Sequence, residues 1–168
     1  MFLRLGSNND QVVALRASGN KKCYIQGIVD FVFGNERSLY EGCTLKSIDK
    51  NIGYIMAQSR PILSIETGFS ITNSKVISNG QVYLGRLWRA FSRGIFSYNY
   101  MENIVLPQGR DDAMSMQDCA LREYKCSGPG SNFARRAPSV HRLIDMEVQP
   151  SIGIHFIEGD TWLINPIL

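Results

Sequence analysis

The chain has 168 residues, of which 44% are hydrophobic and 20% are charged, and its formal net charge is +3 at pH 7. This length and composition are typical of one globular domain with a sizeable core. No apolar run approaches the roughly 20 residues that span a bilayer, and the first residues lack the apolar segment of about 7–15 residues of a secretory signal. The mild basic excess favours association with a polyanion, but no nucleic-acid-reading motif is present.

The first predicted strands lie between residues 11 and 34. The run Gly27-Ile-Val-Asp-Phe-Val-Phe-Gly34 predicts a buried strand with Asp30 in its middle. An ionised carboxylate in such a strand is unfavourable unless it is paired or hydrogen-bonded. Two interpretations stay open: a structural Asp that pairs with a buried Arg or with backbone amides, or a carboxylate held in place to react.

A loose internal repeat follows. Tyr40–Leu45 and Ile71–Val76 share an apolar/polar pattern, with Cys43 and Ser74 at matching positions, and Tyr98–Asn103 follows as a third copy in which Met101 matches Ser74. Short strands rich in Val, Ile, Phe and Tyr, separated by Gly, Asn and Ser, favour a solenoid. The pattern alone also permits an antiparallel sandwich.

The segment Tyr83-Leu-Gly-Arg-Leu-Trp-Arg89 places a cation and an indole two residues apart. Residues at this spacing on a strand face the same side, so Arg86 and Trp88 are expected to share one surface. An Arg there pairs with a carboxylate, and a Trp face suits a sugar ring. Gln58 is expected on a neighbouring coil, where it either lines a substrate groove or is a plain hydrogen-bonding ladder residue.

The four cysteines are Cys23, Cys43, Cys119 and Cys126, and the two histidines are His141 and His155. Their spacing is not that of a zinc site. Free thiols or a single disulfide, either Cys23–Cys43 or Cys119–Cys126, all remain open, and the histidines are expected to have a surface role.

The last third of the chain predicts little regular structure. Gln108–Gly130 resembles irregular loop, and Ser139–Pro150 predicts a short helix with Asp145 as its N-cap and Pro150 as its stop. Ile152–Ile157 predicts a last strand. Neither a linker nor a second domain is visible.

Together these segments resemble the plant pectinesterases, or pectin methylesterases. The matching stretches run in the family's order along the chain: Gln11–Arg16, Gly27–Asn35, Tyr54–Ser59, Tyr83–Trp88, Phe96–Tyr98, Asn103–Pro107, Glu123–Gly130 and Glu158–Trp162. The resemblance implies a right-handed parallel β-helix that is incomplete at its N-terminal end. Residues 1–168 would form the C-terminal part of a single catalytic domain.

The resemblance also implies hydrolysis of galacturonate methyl esters in pectin, with release of methanol. Asp30 would be the nucleophile, Arg86 would keep it ionised and oriented, Trp88 would stack on a sugar ring, and Gln11 would bind the ester and its oxyanion. No metal or organic cofactor is implied. The expected partners are pectin and a proteinaceous pectinesterase inhibitor, with no nucleic acid and no membrane, and the expected location is the extracellular cell wall.

One departure separates this chain from the family. Members carry a Gln-Asp-Thr segment between the positions of Gln11 and Asp30, and its Asp is the acid/base; here it is absent, as if about one coil were lost. Asp10 and Glu36 are the nearest substitutes. We therefore predict impaired activity, with a catalytically inactive, pectin-binding relic of the family as the alternative. A β-helical lyase or polygalacturonase is a third possibility, but its acidic clusters are not evident.

Overall fold

The computed structural model describes residues 15–17, 23–112 and 119–162, where short strands wind into a parallel β-helix of three sheets. Sheet A is formed in spatial order by β1 (Leu15–Ala17), β4 (Arg37–Glu41), β7 (Gly68–Thr72), β10 (Arg93–Ser97), β12 (Ala120–Tyr124) and β13 (Val140–Arg142). Sheet B is formed by β2 (Cys23–Gly27), β5 (Cys43–Ser47), β8 (Lys75–Ser78) and β11 (Tyr100–Met101). Sheet C is formed by β3 (Val29–Gly34), β6 (Ile52–Gln58) and β9 (Gln81–Gly85). The fold predicted from the resemblance is therefore confirmed.

Each strand pairs in parallel with its counterpart on the next coil, so side chains of the same type stack along the axis. In sheet B, Leu45 pairs with Val76 and Val76 with Met101, and all three are fully buried. Burying one such side chain contributes about 1.5–3 kcal/mol. These inward columns hold successive coils in register.

The corner that follows sheet A has the same unusual backbone on four coils. Positive φ angles occur there at Gly42, Asn73, Tyr98 and Lys125. Hydrogen bonds join neighbouring coils beside this corner: the Cys43 amide donates to Ser74 Oγ (3.0 Å), and the Ser74 amide donates to Asn99 Oδ1 (2.8 Å). The cost of the left-handed conformation is thus offset by contacts between coils.

The predicted repeat is correct for its first two copies and wrong for the third. Tyr40 pairs with Ile71 and Leu45 with Val76, as the pattern predicts. On the third coil, however, Asn99 rather than Met101 lies beside Ser74. Met101 points inward against Val76 instead, because its side chain continues the apolar column.

In the last third of the chain, the short helix predicted within Ser139–Pro150 is confirmed, but the predicted loop, N-cap and stop are wrong. The supposed loop Gln108–Gly130 contains β12, and β13 occupies the start of the supposed helix. Helix α1 spans Asp145–Val148, and Ile144 is its N-cap residue, whose amide donates to Glu147 (2.9 Å). Pro150 lies in a 3₁₀ turn, Gln149–Ser151, that continues directly from α1.

The predicted strand over Ile152–Ile157 is also wrong, because Ile154–Ile157 form a 3₁₀ turn. Positive φ angles at Gly153 and Glu158 turn the backbone at both ends of this segment, so it cannot extend. Helix α2 follows over Gly159–Trp162. None of the helices in the described ranges has the length and apolar character that crossing a bilayer requires.

The segment from α1 onward covers the outer face of sheet A. Leu39 packs there against Phe156 and Ile157. Ser70 Oγ donates to the Ser151 carbonyl (2.5 Å). Sheet A is therefore buried on both faces along β7.

None of the four cysteines forms a disulfide, so neither proposed pairing is present. Cys23 and Cys43 nevertheless face each other in register on β2 and β5, where the Cys43 thiol donates to the Glu41 carbonyl (3.6 Å). Burial raises the pKa of the Cys43 thiol well above its ordinary value, which keeps the thiol protonated.

Candidate active site

Asp30 lies on an irregular position of β3. The register between β3 and β6 shifts between Val29 and Val32, and Asp30 has a φ of 52°. Bulges of this kind re-aim one side chain, and backbone strain of this kind is concentrated at functional sites.

The prediction of a buried strand around Asp30 is wrong. Ile28 is 55% exposed and Phe33 is 73% exposed, whereas Val32 packs into the core. Among the apolar side chains of β3, Phe33 instead borders an open groove, and the Asp30 side chain is 16% exposed.

The structure brings Asp30 and Arg86 together as a forked ion pair. Arg86 Nε lies 3.1 Å from both carboxylate oxygens of Asp30, and Arg86 Nη2 donates to Oδ2 at 2.5 Å. This hydrogen bonding to Asp30 raises the pKa of Arg86 above its ordinary value. A forked arginine fixes both the position and the plane of a carboxylate.

Two aromatic rings flank the Arg86 guanidinium. Its central carbon lies 4.4 Å from the centroid of the Tyr54 ring and 5.0 Å from that of the Trp88 ring. Tyr54 in turn stacks on Tyr83 at 5.5 Å. Trp88 is 39% exposed, so one part of its indole contacts Arg86 and the rest faces the groove.

Tyr54 and Asp111 are site residues that the sequence reasoning missed. The Tyr54 hydroxyl donates to Asp111 Oδ2 at 3.0 Å. Burial, and then the hydrogen bond to Asp111, raise the pKa of Tyr54. Tyr54 stood in a recognised stretch, but Asp111 carried no sequence signal, because its place beside Tyr54 depends on the register between coils.

The groove has a volume of about 460 Å³. It is lined by Asp30, Phe33, Gly34, Ala57, Ser59, Trp88 and Arg89. Asp30 is the one carboxylate among these lining residues of the described chain. Arg89 adds a cation that was not singled out from the sequence.

The other candidates fall outside this arrangement. Gln58 is fully buried, and its Oε1 accepts from the amides of Arg60 (3.1 Å) and Arg93 (2.9 Å), so it is a ladder residue and does not line the groove. Gln11 lies outside the described residues. His141 and His155 are exposed.

Glu36 does not lie free in solvent, because its carboxylate folds over the backbone of Gly34 beside the groove. Leu87, between Arg86 and Trp88, is buried in the core. Within the described ranges, no group of three or more His, Cys, Asp or Glu residues is placed to hold a metal ion.

A parallel β-helix with an arginine-held carboxylate in a Trp-lined groove defines a narrow class of protein. The family model described as Pectinesterase matches residues 15–160. The chain therefore belongs to the pectinesterase family, and the resemblance seen in its sequence is confirmed.

Individual relatives agree with this assignment. Putative pectinesterase 14 from Arabidopsis thaliana is 42% identical over 148 residues, which are 85% of this chain and 44% of that protein. The solved pectin methylesterase from carrot is 25% identical with a TM-score of 0.78, over 84% of this chain and 50% of its own. The pectin methylesterase from Aspergillus niger is 26% identical with a TM-score of 0.74, over 93% of this chain and 51% of its own. The chain thus spans about half the length of these proteins or less.

Proposed function

We propose that the chain hydrolyses galacturonate methyl esters of pectin, with Asp30 as the nucleophile. The observation that carries this proposal is the forked Asp30–Arg86 pair at the edge of a groove with an exposed Trp88. An arginine that holds a carboxylate in one orientation keeps it aligned for attack on the ester carbonyl. A carboxylate without such a partner would often be misoriented and would react more slowly.

The reaction has two steps at Asp30. A carboxylate oxygen attacks the ester carbonyl carbon, and the bond to methoxide breaks; the methoxide takes a proton from solvent water to become methanol, which leaves an acyl-enzyme anhydride. Water then attacks the anhydride and gives two protons to solvent, restoring the Asp30 carboxylate and leaving the galacturonate unit as a carboxylate. Arg86 makes three hydrogen bonds to the Asp30 carboxylate, which has about four acceptor sites, so one remains for attack.

Substrate placement falls to the groove wall. Trp88 offers an indole face for a sugar ring, and Arg89 offers a cation to a neighbouring free carboxylate of the polymer. The role of Gln11 in holding the ester oxyanion stays a prediction from the resemblance.

Turnover is expected to be slow, since no second carboxylate lines the described groove to serve as acid and base. General acid–base catalysis is typically worth about 10²–10⁴-fold in rate. The same observation favours a second candidate function, a module that binds pectin without turnover.

Methanol release from highly esterified pectin by the purified chain tests both candidates. We expect a rate about 10²–10⁴-fold below that of a full-length relative with the acid/base Asp, and a lower rate still for the isosteric variant Asp30→Asn. If the unaltered chain and Asp30→Asn release methanol only at the background rate but are retained on immobilised pectin, the binding module is supported. The absence of both methanol release and retention would contradict both functions. A rate equal to that of the relative would show that another group replaces the acid.

We also propose, from the family resemblance, an extracellular location in the cell wall and a proteinaceous pectinesterase inhibitor as a partner. Residues 1–168 would form one part of a single catalytic domain. Immunolocalisation and a pull-down with purified inhibitor would test the first two points.

A further inference from the structure

A second cavity of about 390 Å³ lies between the outer face of sheet A and the segment that covers it. Its polar lining is dominated by three guanidinium groups. The lining residues are Arg60, Leu63, Phe91, Ser92, Arg93, Ile95, Arg122, Leu143, Glu147, Pro150 and Ser151. None of them lines the groove that holds Asp30. We call this cavity the arginine pocket.

Two of the three arginines share one carboxylate. Arg60 Nη2 lies 3.3 Å from Glu66 Oε1, and Arg93 Nη2 lies 3.4 Å from Glu66 Oε2. Arg60 also donates to the carbonyls of Ile62 (3.2 Å) and Leu63 (2.5 Å). These two side chains are therefore fixed, although only one negative charge faces their two positive charges.

The third arginine has no such partner. Arg122 is the middle residue of β12, beside Ile95 of β10, and its guanidinium makes no hydrogen bond or ion pair with any residue that the structure describes. Glu147 faces the pocket, but its carboxylate accepts from the Ile144 amide at the start of α1. A partly buried cation without a partner is costly.

The charges around the pocket do not balance. Arg60, Arg93 and Arg122 stand against Glu66 and Glu147, which leaves one positive charge uncompensated. Burial lowers the pKa of Arg122 and the neighbouring Arg60 lowers it further, while Glu147 offsets this only in part. Burial likewise lowers the pKa of Arg93; Glu66 offsets this in part, and Arg60 and Arg122 add to the lowering. The pocket therefore carries an excess positive charge, and three guanidinium groups already line it.

We propose that the arginine pocket binds a small oxyanion, with Arg122 as its principal ligand and Arg60 and Arg93 as supporting cations. Guanidinium groups match the paired oxygens of carboxylates and phosphates. The same chemistry is offered by two sources, the carboxylate of a free uronate and inorganic phosphate. The arginine pocket shares no lining residue with the groove, so anion binding does not require Asp30 or turnover in the groove.

Thermal unfolding and isothermal titration calorimetry test this proposal on the whole chain. Sodium phosphate and sodium galacturonate are added separately, with sodium chloride at matched ionic strength as the reference. We expect at least one anion to raise Tm above the chloride value, since a ligand that binds only the folded state stabilises it. Phosphate alone would identify an inorganic anion site, and galacturonate would identify a uronate site. Equal Tm values in all three salts would overturn the proposal.

The variant Arg122→Gln is the matched control. Its Kd for the anion should be at least about 10-fold weaker, corresponding to roughly 1.4 kcal/mol for a lost charge-assisted contact. In chloride alone its Tm should equal or exceed that of the unaltered chain, because a repelled, partly buried cation is removed. An unchanged Kd, or a Tm drop in chloride that indicates a structural role, would contradict the assignment.

Two further variants make the result specific to the pocket. Trp88→Ala, which alters the groove, should leave anion binding unchanged; loss of galacturonate binding in this variant would place that anion in the groove and overturn the uronate site. Arg122→Lys keeps the charge but not the fork, so it should bind more weakly than the unaltered chain and more tightly than Arg122→Gln. If Arg122→Gln does not fold, the Lys variant supplies the comparison.

Discussion

Arg86 in the groove and Arg122 in the arginine pocket are both partly buried, yet their surroundings act on them in opposite directions. The hydrogen bonds that Arg86 donates to Asp30 raise the pKa of Arg86, whereas burial and a neighbouring arginine lower that of Arg122. The first arginine is satisfied within the chain and serves to aim another residue. The second is left for something outside the chain, so an arginine's partners indicate its task better than its exposure does.

The largest expected effect concerns a third kind of arginine, one that is paired and wholly buried. Arg136 and Glu123 have side chains 1% and 4% exposed, with Nε and Oε1 2.6 Å apart. Glu123→Ala should lower the free energy of unfolding by about 3–5 kcal/mol, because it leaves a buried charge without its counter-ion. Urea unfolding measures this loss. The control Asp145→Ala breaks the ion pair with Lys125, whose two side chains are 75% and 55% exposed, so its loss should be far smaller; similar losses in both variants would break the comparison.

The same pair sets a pH dependence of known sign. Burial raises the pKa of Glu123 above 4.5, and Arg136 offsets this only in part. The folded state then binds this proton more tightly than the unfolded state, so its contribution is present below pH 4.5 and is lost as pH rises through the raised pKa. The difference in unfolding free energy between the unaltered chain and Glu123→Gln should therefore fall with rising pH. A difference that rises instead would mean that Arg136 outweighs burial.

The next effect tests whether Arg86 aims Asp30. Arg86→Lys keeps the charge and loses the fork, so we expect methanol release to fall by about 100-fold through misplacement of the carboxylate. The reduction should appear in kcat, with KM for pectin little changed. Full turnover in the Lys variant would show that charge alone suffices at this position.

Substrate holding by Trp88 should be a smaller contribution. Trp88→Ala removes the indole face and should raise KM for pectin about tenfold, which corresponds to roughly 1.4 kcal/mol of stacking. Steady-state methanol release at varied pectin concentration measures it. Trp88→Phe is the matched control and should recover most of the affinity, whereas an unchanged KM in Trp88→Ala would place the sugar elsewhere.

The smallest effect is expected behind the groove, at Tyr54 and Asp111. Asp111→Asn keeps an acceptor for the Tyr54 hydroxyl, and Tyr54→Phe keeps the ring beside Arg86. Each should change turnover by only about 2–3-fold, as for other partly exposed polar contacts. A loss near 100-fold in Asp111→Asn would instead identify Asp111 as a source of the missing proton.

The resemblance in sequence was enough to predict the fold and to single out Asp30, Arg86 and Trp88, because these residues lie in recognisable stretches. The Tyr54–Asp111 pair was not predictable, since it depends on which coils stack 57 positions apart. The run around Asp30 appeared buried because its composition is apolar, and composition does not show which sheet borders a groove.

Local pattern failed for a different reason near the end of the chain. The β-branched and aromatic composition of Ile152–Ile157 favours a strand, but left-handed residues at both ends prevent an extended backbone. Strand β12 was missed because Arg122 and Glu123 interrupt its apolar pattern, and both of these charges lie in special surroundings. Glu123 has a buried partner, and Arg122 lines the arginine pocket.

The corner formed by Gly42, Asn73, Tyr98 and Lys125 has a consequence for protein engineering. β-Branched side chains are strongly disfavoured at such positions. The same constraint on residue type therefore recurs once per coil, independently of the residues that line the groove. Each of these residues therefore marks the same corner of its coil. A coil transplanted from a relative and joined at Gly42 and Asn73, or at Asn73 and Tyr98, would bring one strand of each sheet with it, so either segment could be exchanged without shifting Asp30 relative to Arg86.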